Sequence, residues 1–235
     1  MSDMPPLALL AGGMATRMHP LTASQPKAML EVAGEPFIAH QLRLIRRERI
    51  KRVVLCVGYL WERIETFVGD GEKFGLEVVY CIDGPTLLGT GGAIRKALPD
   101  LGDEFLIMYG DTWLDCAYAP VVARFRSSGK PALMTVYRNE DRWDKSNVWF
   151  EAGAVRCYDK ELHLPQMRHI DWGLSVARAK LFAPEPAGRS FDLAEIFGGL
   201  SKTGELAGFE VSTRFYEIGS IEGLHEIDAL LRRQN

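Results

Sequence analysis

Between residues 9 and 30 the chain reads LLAGGMATRMHPLTASQPKAML, and the residue types in this run suit the holding of a polyanion. Gly12 and Gly13 have no side chains, so their N–H groups can point into a single concavity. Thr16 adds a hydroxyl donor, and Arg17 adds a planar fork of donors matched to phosphate oxygens. Pro26 restrains the backbone before Lys27, whose ammonium can reach the same anion from another side. The spacing is not that of a Walker loop, because G-x-x-x-x-G-K-[ST] is absent. Nor is it the dinucleotide fingerprint G-x-G-x-x-G, because Ala15 and Thr16 follow the second glycine.

Two other segments carry chemistry of their own. In YGDTWLD, residues 109–115, Asp111 follows an apolar run and a glycine, where its carboxylate can meet a cation at a sheet edge. Mg²⁺ takes one or two carboxylates and completes its shell with phosphate oxygens and water. In LLGTGGAIRKAL, residues 87–98, the glycines allow close backbone approach to a planar base and Thr90 offers a hydroxyl. Asn147, just before a strand, carries an amide that could bond a ligand hydroxyl. Asp115 does not complete the D-x-D pattern of glycosyltransferases with Asp111 and reads as a surface or capping acid.

The elements that must position these groups follow an alternating rhythm. Leu7 to Leu10 is a short apolar run ending at a glycine pair, as a buried parallel strand does. A helix with one apolar face follows Pro36. RVVLCVG reads as a strand, Tyr59 to Val68 as a helix, LEVVYCI as a strand and Gly91 to Leu98 as a short helix. FLIMYGD is a fourth strand, and after another helix PALMTVY is a fifth. Strands separated by such helices imply right-handed crossovers and a mainly parallel sheet, with ligands at the carboxyl ends of the strands. The Gly12–Gly13 turn and the Gly110–Asp111 pair both fall at such ends and should lie close together. After about residue 140 the rhythm changes. NVWFEAGAVRCYDK reads as a hairpin turning at Glu151 to Gly153, and HIDWGLSVARA as a strand. Helices follow at about Phe191 to Leu200 and from Ile221 onward. No linker or repeat forces a second unit, so residues 1–235 read as one domain, a nucleotide-binding half to about residue 140 and an elaboration from about 141.

L-A-G-G-x-A-T-R-M-x-P-L-T-x-x-x-P-K, residues 10–27, resembles the signature of the sugar-1-phosphate nucleotidylyltransferases, the nucleoside-diphosphate-sugar pyrophosphorylases. The family usually has glycine where this chain has Ala15, a mild departure. The resemblance runs from about Leu7 to Leu231 with the motifs in family order. It implies a Rossmann-like α/β fold with a mainly parallel mixed sheet flanked by helices. It also implies transfer of a nucleotidyl group from an NTP to a sugar 1-phosphate, with Mg²⁺ at the phosphates. The loop Leu10, Ala11, Gly12, Gly13, Met14, Ala15 and Thr16 would wrap the triphosphate. Gly89, Thr90 and Gly110 would meet the nucleotide, and Arg17, Lys27 and Asp111 would carry the catalytic charge. Asp111 and Glu217, the acid before the Ile-Gly-Ser turn in RFYEIGSIEGLHEI, match the metal-binding acids. Many members have Asp at the second of these positions. YDKEL resembles the acid–lysine pair that takes the acceptor phosphate, giving Asp159 and Lys160, while HIDWGLSV assigns Asp171 and Gly173 to the sugar pocket. The compact length resembles heptose-1-phosphate guanylyltransferases and N-acetylmuramate-1-phosphate uridylyltransferases, with a lean toward GTP and a mannose or heptose phosphate. Phosphocholine as acceptor and a non-catalytic nucleotide-sugar sensor are the rival readings.

Composition narrows the partners. A net charge of −3 argues against a general nucleic-acid binder. The five histidines form no zinc spacing, and the four scattered cysteines suggest reduced thiols rather than a disulfide framework. The N-terminal apolar stretch is too short to span a bilayer and lacks a basic flank, so a soluble cytoplasmic enzyme is expected. Trp143 and Trp172 are candidates to border a sugar, and homo-oligomerisation is left open.

Overall fold

The computed structural model describes residues 3–14, 18 and 20–234. Thirteen strands appear in the order β1 Leu7–Ala11, β2 Glu31–Val32, β3 Glu35–Pro36, β4 Arg52–Val57, β5 Glu77–Ile82, β6 Glu104–Tyr109, β7 Thr112–Trp113, β8 Ala132–Arg138, β9 Val148–Glu151, β10 Ala154–Tyr158, β11 His169–Arg178, β12 Leu206–Val211 and β13 Tyr216–Glu217. Six α-helices join them: α1 Phe37–Arg47, α2 Trp61–Val68, α3 Gly89–Leu101, α4 Tyr118–Ser128, α5 Leu193–Lys202 and α6 Ile221–Gln234.

Nine strands form one sheet in the order β5-β4-β1-β6-β11-β8-β12-β10-β9. The pairs β5–β4, β4–β1 and β1–β6 are parallel, as the alternating rhythm of the first half requires. Beyond β6 the sheet turns mixed. β11 runs antiparallel to both β6 and β8, while β12 is parallel to β8 and antiparallel to β10. The fold class is therefore the expected α/β type with a mixed sheet, and one sheet continues through both halves of the chain.

Both faces of the sheet are covered, which explains why the parallel strands β1, β4 and β6 are almost continuously apolar. On one face, Ile38, Leu42 and Ile45 of α1, Ile64 and Val68 of α2, and Val121, Val122 and Phe125 of α4 share a core with Leu7, Leu9, Val53 and Leu55. On the other, Ala93, Ile94 and Ala97 of α3 and Leu193 and Phe197 of α5 pack on Ala8, Val54, Phe105 and Ile107. Each large side chain buried this way contributes about 1.5–3 kcal/mol. A third cluster gathers Val32, Phe37, Trp113, Ile218, Ile227 and Leu231, and fastens α6 and the short ladder β7–β13 to the main body.

Three details differ from the sequence expectation. α2 begins at Trp61 rather than Tyr59, because Leu60 adopts a left-handed φ of 55° that cannot continue a helix. α3 is longer than expected, starting at Gly89. β12, LAGFEV, was not anticipated. Gly208 interrupts its apolar pattern, yet a Cβ there would lie 2.4 Å from the Phe150 ring of β9. Among the described residues no helix is long and apolar enough to cross a membrane.

Gly208→Ala should therefore overpack the β12–β9 contact and destabilise the protein by about 1–3 kcal/mol. A thermal melt should show a fall of several degrees, and an unchanged midpoint would mean that Phe150 moves aside freely.

Candidate active site

The carboxyl ends of β1, β4, β5 and β6 surround a cavity of about 320 Å³. Leu10, Ala11, Gly12, Gly13, Lys27, Gly89, Thr90, Gly110 and Asp111 all line it, so most of the residues singled out in the sequence converge there. Met14 is half exposed and does not line the cavity. Ala15, Thr16 and Arg17 lie outside the described residues.

The expected approach of the two glycine segments is realised by backbone. The Gly110 N–H donates to Leu10 O at 2.8 Å, and a Cβ at Gly110 would sit 2.7 Å from that oxygen. Gly13 is different, because among the described residues a Cβ there would meet nothing within 4 Å, and its φ is not in the left-handed region. Neither packing against the described residues nor backbone conformation requires glycine at that position.

The cavity has two poles. At one, Lys27 Nζ contacts Asp111 Oδ2 at 2.7 Å, with side-chain exposures of 18% and 36%. A pair this close to solvent is worth about 1 kcal/mol or less, so an incoming polyanion or cation can take over either partner. Lys27 opens a short 3-10 turn, Lys27–Met29, that the buried Ala28 anchors against the main core. At the other pole is Asp83, just beyond β5. It is 8% exposed; its Oδ2 accepts from Leu88 N at 3.1 Å, and its Oδ1 has no hydrogen-bond partner among the described residues. Burial pushes its carboxyl above the usual range, against the Leu88 hydrogen bond and the nearby Lys96. Asp83 was not singled out in the sequence, where the only signal for it is an acid at a strand end.

Thr90 lines the cavity, but its hydroxyl is already engaged. It donates to Asp192 Oδ1 at 3.0 Å and accepts from Leu193 N at 2.8 Å. What Thr90 turns toward a ligand is therefore its remaining surface, not a free hydroxyl.

Glu217 faces Thr112 across the β7–β13 ladder, and Ile218 N donates to Asp111 O at 2.9 Å. The two acids that could serve a cation are thus neighbours across two short strands. Their oxygens are hard donors, which suits Mg²⁺. Among the described residues no group of three or more His, Cys, Asp or Glu is arranged to hold a metal ion. Substrate oxygens and water would have to complete any shell here.

The groups expected to meet an acceptor gather beyond β6. Asn147 Oδ1 accepts from Asp171 N at 3.0 Å, and Asp159 N donates to Asn147 O at 3.1 Å. Asp171 Oδ1 accepts from Gly173 N at 3.0 Å, where Gly173 adopts a φ of +100° beside the irregularity in the β11–β8 register. Burial is the main reason that the Asp171 carboxyl rises to about 6; the Gly173 N–H, Lys160 and Tyr158 oppose the rise. Asp159 instead caps its own turn, accepting from Leu162 N and Glu161 N, which hold its carboxyl below the usual range. Lys160 Nζ lies 2.8 Å from Asp192 Oδ2 rather than against Asp159. Trp143 remains exposed, but Trp172 is a core residue, 1% exposed, with its indole N–H on Thr213 O.

Residues 8–146 match the nucleotidyl transferase family. The chain is 26% identical to the N-acetylmuramate alpha-1-phosphate uridylyltransferase of Neisseria meningitidis, covering 94% of this chain and 96% of that protein. It is 29% identical to the mannose-1-phosphate guanylyltransferase of Mycobacterium tuberculosis, covering 91% of this chain but only 61% of that longer protein. In fold it is similar to the solved structure of HddC from Yersinia pseudotuberculosis complexed with GMP-PN, with a TM-score of 0.81 at 21% identity, covering 97% of this chain and all of that one.

Asp171 sets a pH signature. A carboxyl raised to about 6 in the folded state stabilises the fold below its unfolded value near 4, and that contribution is lost as pH climbs through 6. Asp171→Asn should thus be more stable than the parent at pH 7 by about 1–3 kcal/mol, a gap that closes below about pH 4. Melting temperatures across that range check it, and a constant gap would locate the cause elsewhere.

Proposed function

Because this chain belongs to the nucleotidyl transferase family, a family of enzymes, we propose that it joins the nucleotidyl group of an NTP to a sugar 1-phosphate, giving a nucleoside-diphosphate sugar and pyrophosphate. The observation that carries this reading is the two-poled cavity, with Lys27 and Asp111 at one end, Asp83 at the other, and the acceptor groups Asn147, Lys160 and Asp171 beyond β6. A non-catalytic sensor would have no need of charge partners for both substrates.

In this reading an oxygen of the acceptor phosphate attacks the α-phosphorus in line. The new P–O bond forms as the α–β bridge breaks, and pyrophosphate leaves with the bonding pair. The attacking oxygen is already ionised, so no base is required. Two polyanions must be brought together, and neutralising their repulsion in a fixed geometry supplies most of the rate. Lys27 and Arg17 offset charge on the triphosphate, and Lys160 aligns the acceptor phosphate. The loop from Leu10 to Thr16 wraps the phosphates. Mg²⁺, held by Asp111 and Glu217, would supply further charge neutralisation at the reacting phosphate. The whole chain acts as one domain in the cytoplasm, with the half up to about residue 140 binding nucleotide and the rest binding sugar phosphate.

For the base we favour guanine. Its N1–H and exocyclic amine are adjacent donors that suit a buried carboxylate with an oxygen unpartnered among the described residues, as at Asp83. Uracil offers one N–H between two carbonyls, a poorer match to a carboxylate. With guanine we pair a mannose- or heptose-type 1-phosphate. The second reading, UTP with N-acetylmuramate 1-phosphate, is favoured by the end-to-end similarity to the Neisseria enzyme.

Pyrophosphate release measured over four NTPs and a panel of sugar 1-phosphates should be greatest with GTP and should cease when EDTA removes divalent cations. A UTP preference would select the second reading, and no release from any pair would favour the sensor. Arg17→Ala or Asp111→Ala should lower kcat by about 10²-fold or more with the fold intact; near-normal rates in either folded variant would sink the assignment. Asp83→Asn should raise the KM for GTP and leave that for the sugar phosphate unchanged.

A further inference from the structure

Asp192 has no part in the transfer as described, yet its carboxylate ties together three pieces of chain. As the N-cap of α5 it accepts from Ala194 N at 2.9 Å and completes a capping box with Glu195. It also accepts from the Thr90 hydroxyl at 3.0 Å and from Lys160 Nζ at 2.8 Å. Thr90 belongs to the wall of the nucleotide cavity, and Lys160 is the lysine assigned to the acceptor phosphate.

The segment bearing Asp192 is bound to that wall by backbone. Gly91 N donates to Phe191 O at 2.9 Å, and Phe191 N donates to Leu88 O at 3.0 Å. A Cβ on Gly91 would lie 2.2 Å from the Phe191 ring, and one on Gly89 would lie 2.6 Å from Phe191 O. The glycines of LLGTGG are therefore required, at least in part, by this docked segment and not only by a ligand.

An exposed lysine–carboxylate pair has little worth as stabilisation. Here, however, one partner is fixed and the other is a long, flexible chain that must lose considerable rotameric freedom to serve a substrate. Burial opposes ionisation of Asp192, but the Ala194 N–H, the Lys160 ammonium and the Thr90 hydroxyl outweigh it and keep the carboxyl below its usual range. The ammonium has three donor positions, so one can remain on Asp192 while others point to a phosphate.

We propose that Asp192 is a positioning residue that holds Lys160 at a fixed distance from the nucleotide wall, so that the acceptor phosphate is delivered in register with the bound NTP. The proposal rests on the assignment of Lys160 to the acceptor.

Asn is as good an N-cap as Asp and can keep the bonds to Ala194 and Thr90, so Asp192→Asn removes the counter-ion and spares the helix. The expected result is a KM for the sugar 1-phosphate raised about tenfold, with kcat and the KM for NTP within about twofold and an unchanged melting temperature. Asp192→Glu, which restores the charge on a longer arm, should recover part of the loss. In a Lys160→Met background Asp192→Asn should add nothing further to the acceptor KM. An unchanged acceptor KM, or equal rises in both KM values, would overturn the proposal. One further readout is independent of turnover: acetylation of Lys160 by acetic anhydride, followed by mass spectrometry, should be several-fold faster in Asp192→Asn than in the parent. Equal labelling overturns the positioning role. Faster labelling together with a silent substrate grid would uphold the fixed lysine and overturn the assigned reaction instead.

Discussion

The geometry of the site depends first on how closely the ends of β1 and β6 approach. At Gly110 no side chain fits, since a Cβ would stand 2.7 Å from Leu10 O and 2.9 Å from the Ala11 Cβ. The Gly110 N–H closes the gap with a 2.8 Å hydrogen bond to Leu10 O. Two consequences follow from this one contact. The Gly12–Gly13 loop leaves β1 directly beside the turn that carries Asp111. That turn then runs into β7, whose partner β13 brings Glu217 opposite Thr112. A larger residue at Gly110 would push the Gly12–Gly13 loop away from the turn that carries Asp111.

Charge is arranged on this frame so that it can be redistributed at small cost. Lys27 and Asp111 satisfy each other near solvent, where the attraction is modest and replaceable. Asp171 is treated differently. Burial holds its carboxyl up at about 6, and the hydrogen bonds from Gly173 and Tyr158 only partly offset that. A replaceable pair at Lys27 and Asp111 and a desolvated, orientated carboxyl at Asp171 are different electrostatic devices. The first can yield to an incoming charge, while the second is held in place by the Gly173 N–H.

Where position was set locally in the chain, it was legible in the sequence. The glycine pair and Asp111 lie at strand ends with recognisable punctuation, Lys27 follows Pro26 into a short turn, and the alternation of strands and helices in the first half specifies a parallel sheet that brings them together. The second half was harder to read because its register is set across distant segments. Gly208 makes β12 look broken as a strand, although the glycine is there because Phe150 lies over it. Asp83 is a lone acid after β5, and nothing in the neighbouring residues reveals that one of its oxygens is buried with no hydrogen-bond partner among the described residues. Thr90 was read as a ligand-facing hydroxyl, because a sequence cannot show that Asp192 and Leu193, about a hundred residues away, already occupy it.

Tyr109 marks the place where the halves meet. Its phenol is held well above the usual range chiefly by burial, with Asp171, Asp192 and Asp111 adding to the effect. Those carboxylates come from β11, from the cap of α5 and from just beyond β6, so a single ring lies within the electrostatic reach of acids from three separate parts of the chain. A phenol that stays neutral among several acids can separate them without adding charge of its own. A phenol is already neutral near pH 7, so burial does not change its charge there. What the ring supplies at the junction of the two halves is an uncharged spacer among the three carboxylates of Asp171, Asp192 and Asp111.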